Sequence, residues 1–151
     1  MKSGLSLIEV LVVLAIIGIL SAVVFGNFGT YRANQALQNS GEGVLSFLNS
    51  ARSRTLFSED SSQYGVHLEQ SKTVLFKGVT YSAGANDNRE FILDPSIEIV
   101  SVNLAGGGDN IVFERLSGAT DQDGTFVLRV KTDFSKQKTF TIEKTGIVSV
   151  N

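Results

Sequence analysis

Residues 1–25, MKSGLSLIEVLVVLAIIGILSAVVF, form an almost unbroken apolar run with one acid, Glu9, near its start. Within residues 5–25 Glu9 is the only charged side chain. A helix of that length would reach roughly 31 Å, close to the ~30 Å hydrocarbon core of a bilayer. A carboxylate inside such a segment costs about 2.5–3.5 kcal/mol on insertion scales, so Glu9 marks a functional position rather than filler.

Three readings compete for this run. A secretory signal peptide has a basic start, a short apolar core of about 7–15 residues and a small-residue cleavage site behind it. Here the basic start is Lys2 alone, the run is longer, and the acid lies within it. A plain membrane anchor explains the length but not Glu9. The third reading is a prepilin-type signal, in which cleavage precedes the apolar run and the run is kept. Residues 3–9, Ser-Gly-Leu-Ser-Leu-Ile-Glu, closely resemble that signal.

The resemblance to type IV pilins and pseudopilins implies roles for three residues. A membrane-embedded prepilin peptidase would cut between Gly4 and Leu5. Leu5, where the family usually has Phe, would become the N-methylated terminus. Glu9 would meet the terminal amine of a neighbouring subunit during assembly. Elementary electrostatics agrees, because two charges in a low-dielectric core are each expensive alone and pairing offsets part of that cost.

Composition bounds the rest of the chain. Its 151 residues are enough for one modest domain beside a membrane segment. The net charge is −2, and loss of Lys2 with the leader would make the side-chain total −3, which argues against a broadly basic surface for nucleic acid. There is no Cys, hence neither a disulfide framework nor a thiol nucleophile. Lys2 before the run is balanced by Arg32 after it, so orientation rests on the resemblance.

Beyond the anchor, residues 26–58 read as an amphipathic helix. Val44, Phe47, Leu48, Ala51 and Thr55 recur at spacings of three and four, on one face. Phe25, Phe28 and Tyr31 suit a membrane–water boundary. Gly26 stands where many pilins carry a helix-kinking Pro, and Gly41 and Gly43 weaken the helix further on. From Gly65 onward the pattern becomes strand-like. Val66 and Leu68, then Phe126, Leu128 and Val130, then Phe140 and Ile142 alternate with polar or outward residues. Further strands are expected at 73–76, 91–93, 97–104, 111–116 and 146–150. Asp123-Gly124 is expected to turn a hairpin between Glu114 and Phe126.

The expected organisation is therefore a leader (1–4), a membrane and filament-core helix (5–25), its amphipathic continuation (26–58) and a β-rich domain (59–151). The fold class is α+β, one long helix packed on an antiparallel sheet. Segments 45–60 (LSFLNSARSRTLFSED), 110–120 (NIVFERLSGAT), 124–130 (GTFVLRV) and 138–150 (KTFTIEKTGIVSV) are similar to the GspH/FimT group of minor pilins and pseudopilins. Phe113 with Gly118 matches a turn of that group with one residue more, and Gly146-Ile147-Val148 its closing strand, with Ile where Arg is frequent.

Catalytic chemistry is thin. His67, the only His, is expected on a solvated strand face, with no second His or Cys to complete a nucleophile pair or zinc shell. Asp121-Gln122-Asp123-Gly124 opens like a calcium loop, but the third acid and distal Glu are missing. Gly106-Gly107-Gly108 lacks the Lys and helix of a phosphate cradle. Arg52 and Arg54 are expected to be structural. No enzyme activity, cofactor or metal is expected. The resemblance implies a structural subunit, single-pass in the inner membrane with its globular domain outside the cytoplasm. It would later join a type IV pilus or a type II secretion pseudopilus near the tip. Its partners would be other pilin subunits, the prepilin peptidase, the assembly platform and membrane lipid. The alternative is a DNA-binding minor pilin using Lys136, Lys138 and Lys144, which the negative total disfavours.

Overall fold

The computed structural model describes residues 6–151, and the side chains of all of these except 22–28. The leader 1–4 and the cleavage pair Gly4–Leu5 lie outside the described residues. The chain divides into two compact units, Met1–Asn34 and Gln35–Asn151.

Helix α1 spans Leu7–Leu56 and includes Gly26. It opens on the Ser6 carbonyl, which accepts the amides of Glu9 at 3.0 Å and Val10 at 3.3 Å. Val and Ile dominate its beginning; such β-branched residues are only moderate helix formers in water. In an apolar medium the helix nevertheless wins, since it satisfies every backbone group within the segment.

In the second unit the helix is amphipathic for a visible reason. Leu37, Ser40, Gly41, Val44, Leu48, Ala51 and Thr55 are buried at spacings of three and four, as one stripe. Phe47 flanks that stripe half-buried, its ring 5.6 Å from that of Phe91. Gly43 lies where a Cβ would collide with the Phe91 ring, so the helix-weakening glycine is the condition for close helix–strand approach. After α1 comes a single 3-10 turn, Glu59–Ser61.

Eight strands follow: β1 Tyr64–Leu68, β2 Lys72–Lys77, β3 Arg89–Ile92, β4 Ile97–Leu104, β5 Asn110–Val112, β6 Gly124–Val130, β7 Asp133–Ile142 and β8 Val148–Val150. They form two antiparallel four-stranded sheets rather than the single sheet expected, in the orders β3-β2-β1-β5 and β4-β6-β7-β8. The fold class is α+β. Phe126, Leu128 and Val130 on β6, with Phe140 and Ile142 on β7, alternate inward as read from sequence. The rings of Phe126 and Phe140, paired in register, stack at 4.7 Å in the core.

Two expectations are corrected. The segment 111–116 is a strand only to Val112; Glu114 then opens a turn in which its amide donates to the Ala119 carbonyl and Leu116 takes a positive φ of 67°. Asp123-Gly124 is not a hairpin turn between Glu114 and Phe126. Gly124 is the first residue of β6 and pairs with Leu104 of β4, while β5 pairs with β1 in the other sheet. A Cβ on Gly124 would collide with the Asn103 carbonyl, so this glycine serves close strand approach.

Candidate functional site

Glu9 sits in the first turn of α1, where an acid also suits the positive end of the helix dipole. It is exposed, and among the described residues no cation lies within ion-pair distance. Around it eleven large apolar side chains between 7 and 20 keep 45–77% of their surface open, on all sides of the helix. A helix apolar all round needs an apolar surrounding. Full burial is worth about 1.5–3 kcal/mol per such side chain, so covering the open half of eleven recovers on the order of 10 kcal/mol. That exceeds the roughly 2.5–3.5 kcal/mol cost of carrying one carboxylate along. The arrangement tolerates Glu9 and rewards any partner that supplies it with a positive charge. Among the described residues no helix is long and apolar enough to cross a membrane. The run 5–25 read from sequence extends past both ends of the described side chains 6–21.

The remaining candidates are absorbed by structure. His67 is corrected from a solvated position: only 19% of its side chain is open. It stacks on Tyr81 with ring centroids 4.0 Å apart, and its Nδ1 lies 2.8 Å from Asn110 Oδ1. In the 121–124 segment, Gln122 Oε1 accepts the Val112 amide at 3.0 Å, clipping the loop to the end of β5. Among the described residues no group of three His, Cys, Asp or Glu could hold a metal ion. Arg54 pairs with Glu59 at 3.1 Å and lies over the Tyr64 ring.

Arg52 ties the helix to two loops. Its Nε donates to the Gly118 carbonyl and its Nη2 to the Thr145 carbonyl, each at 3.2 Å. Gly118 and Gly146 have φ of +63° and +74°, and Gly146 approaches the Gly118 carbonyl so closely that a Cβ would collide with it. The turn at Gly118 and the close at Gly146, both similar to GspH/FimT sequences, thus meet at one arginine.

The three lysines considered for DNA do not form one cluster. Lys144 follows β7, its carbonyl accepting the Thr120 amide near the Arg52 loops. Lys136 and Lys138 lie on β7, Lys138 opposite Leu128 of β6, while Arg129 pairs with Gln137 and Lys131 lies in the turn between the two strands. The four cations of residues 129–138 are divided by the register, with Arg129 paired to Glu98 and Lys136 to Asp133.

Residues 1–25 match the prokaryotic N-terminal methylation motif. No curated protein matches the chain. Among solved structures, the type IV minor pilin FimU of Pseudomonas aeruginosa is similar with a TM-score of 0.58 at 14% identity, over 76% of this chain and 92% of FimU. The minor pseudopilin EpsH from the type II secretion system of Vibrio cholerae is similar with a TM-score of 0.58 at 12% identity, over 78% of this chain and 94% of EpsH. Helix and sheets therefore have the pilin fold. The chain thus carries the methylation motif at its start and, behind it, a fold similar to those of FimU and EpsH.

Proposed function

We propose that the chain is a structural, non-enzymatic minor pilin or pseudopilin subunit. Residues 5–25 hold it in the inner membrane with the β-rich body outside the cytoplasm. Prepilin peptidase cuts between Gly4 and Leu5, and Leu5 is N-methylated. The assembly platform then moves the subunit into a type IV pilus or type II secretion pseudopilus, near its tip.

The observation that carries this reading is the helix surface that is open and apolar on every side, with one carboxylate at Glu9. Such a surface is equally well covered by lipid and by neighbouring copies of itself, so transfer from membrane to filament conserves most of the burial energy. Glu9, paired with a neighbour's terminal amine, then favours one axial register over the others. The likeness to FimU, a type IV minor pilin, and to EpsH, a type II secretion pseudopilin, supports the assignment to either machine.

Mass spectrometry of the protein from its native membrane tests the proposal. The expected mature chain begins at an N-methylated Leu5. An intact Met1, or a cut beyond Ala22, would overturn it.

A further inference from the structure

β4 is the last strand of its sheet, and its two sides are treated differently. On the inner side it pairs with β6 from Ile97 to Val100 and again at Asn103 and Leu104, with a register shift between. On the outer side the Ile99 amide donates to the Gln70 carbonyl at 3.0 Å, which docks the β1–β2 turn against the strand. An antiparallel strand turns both polar groups of a residue to the same side, so the Ile99 carbonyl also faces outward. Beyond the shift Leu104 faces outward as well, its carbonyl accepting the Gly107 amide at 3.0 Å, and Val102, two residues earlier, shares its side. The Ile99 carbonyl and the amide and carbonyl of Val102 have no backbone partner on that side among the described residues. Between them Ser101 takes a left-handed φ of 52°, which marks a bulge.

The matching edge of the other sheet is closed. There the outward amide of Val112 on β5 donates to Gln122 Oε1 at 3.0 Å, and its carbonyl accepts from Thr120 Oγ1 at 2.8 Å. Side chains thus seal one sheet edge, as proteins do against unwanted pairing, while the edge of β4 stays open.

The open stretch faces a cleft of about 650 Å³, within the range of ligand sites. Ile99, Val100, Ser101 and Val102 line it together with His67–Gln70, at the end of β1 and in the turn after it, and Asp109, just before β5. Its charged lining is Glu69 and Asp109, with no Lys or Arg. Lys72 lies 3.6 Å from Glu69 but is held more closely by Glu90, at 2.6 Å. Asp109 has no cation within ion-pair distance among the described residues.

We propose that the cleft along the outer edge of β4 accepts an extended, basic segment of another polypeptide, added to the sheet as a fifth strand. The Ile99 carbonyl and the polar groups of Val102 supply the ladder, and Glu69 and Asp109 select Lys or Arg side chains. A small cation would use the carboxylates and leave the edge unpaired, and a nucleic acid would be repelled by them. The site lies within the second unit and is independent of the anchor reading.

The full-length protein in detergent micelles is titrated with a labelled peptide of alternating Lys and Val. The comparators are the same peptide with Glu for Lys, the Lys peptide N-methylated at alternate residues to remove its ladder amides, and spermidine as competitor. The Lys peptide should bind, slow hydrogen exchange of the Val102 amide about tenfold, and weaken as salt rises. The Glu and N-methylated peptides should bind about tenfold more weakly. Asp109→Asn should weaken the Lys peptide about fivefold and Asp109→Glu retain it. Neither variant touches the Asp109 carbonyl that accepts the Leu68 amide, and an unchanged melting curve checks the fold. No binding of the Lys peptide, equal binding of its N-methylated form, or unchanged exchange at Val102 would overturn strand addition. Equal binding of the Glu peptide would overturn charge selection. Displacement by an equal concentration of spermidine would overturn the polypeptide as occupant and assign the cleft to small cations.

Discussion

The Nε of Arg52 donates to the carbonyl of Gly118 at 3.2 Å, across 66 residues of sequence. Its Nη2 reaches Thr145 at the same distance, 93 residues away. One side chain of α1 thus holds the loop after β5 and the loop after β7. A lysine cannot reproduce this, having one nitrogen where the guanidinium has a planar fork. Arg52→Lys is expected to lower stability by about 1–3 kcal/mol, seen as a lower urea midpoint at unchanged m-value. Wild-type stability in that variant would show that the tie contributes nothing.

Gly146 and Gly107 share a φ of +74° but not their surroundings. A Cβ on Gly107 meets open space, whereas one on Gly146 meets the Gly118 carbonyl. Gly107→Ala should cost about 1–2 kcal/mol, from left-handed backbone alone. Gly146→Ala should cost at least twice that, because backbone must also move. Equal melting shifts in the two variants would refute close packing at Gly146.

Glu98 links the two sheets, accepting from Arg129 of its own sheet and from Gln70 in the turn between β1 and β2. The Arg129 guanidinium, then the Gln70 amide, hold its carboxyl below the usual carboxylate range. Its contribution to stability is therefore fully present above the unfolded Glu value of about 4.3 and lost as pH falls through the lower folded value. Glu98→Gln should reduce stability at neutral pH and flatten the acid limb of the stability–pH curve. A variant with an unchanged acid limb would show that Glu98 does not titrate differently on folding.

Glu9→Ala removes the one charge of the apolar run. Membrane insertion should ease, by up to about 2.5–3.5 kcal/mol, while incorporation into filaments falls steeply. Carbonate extraction of membranes reports the first quantity and the subunit content of sheared filaments the second. Normal incorporation would remove charge pairing from the assembly mechanism.

Helix and strand identity were legible because they follow from local periodicity. The stripe of Val44, Leu48, Ala51 and Thr55 has the 3.6-residue period, and Phe126, Leu128 and Val130 the period of two. Glu9 stands out in the sequence because a lone acid contradicts its apolar surroundings. His67 was not: alternation assigned it outward, but the side of a strand says nothing about an aromatic arriving from 14 residues away, and Tyr81 stacks on it.

By itself, then, the sequence of this protein determined an apolar helix with one acid, an amphipathic continuation and a set of alternating strands. Each of these is written within a few turns or a few residues of chain. Only the tertiary structure decided that the strands divide into two sheets, that Gly124 opens β6 against β4 and that Lys144 parts from Lys136 and Lys138. It also decided that Gly118, Thr145 and Gly146 converge on Arg52. Those outcomes depend on which strand edges and loops meet across long separations. An alternating pattern specifies a buried face but not the strand that will lie beside it.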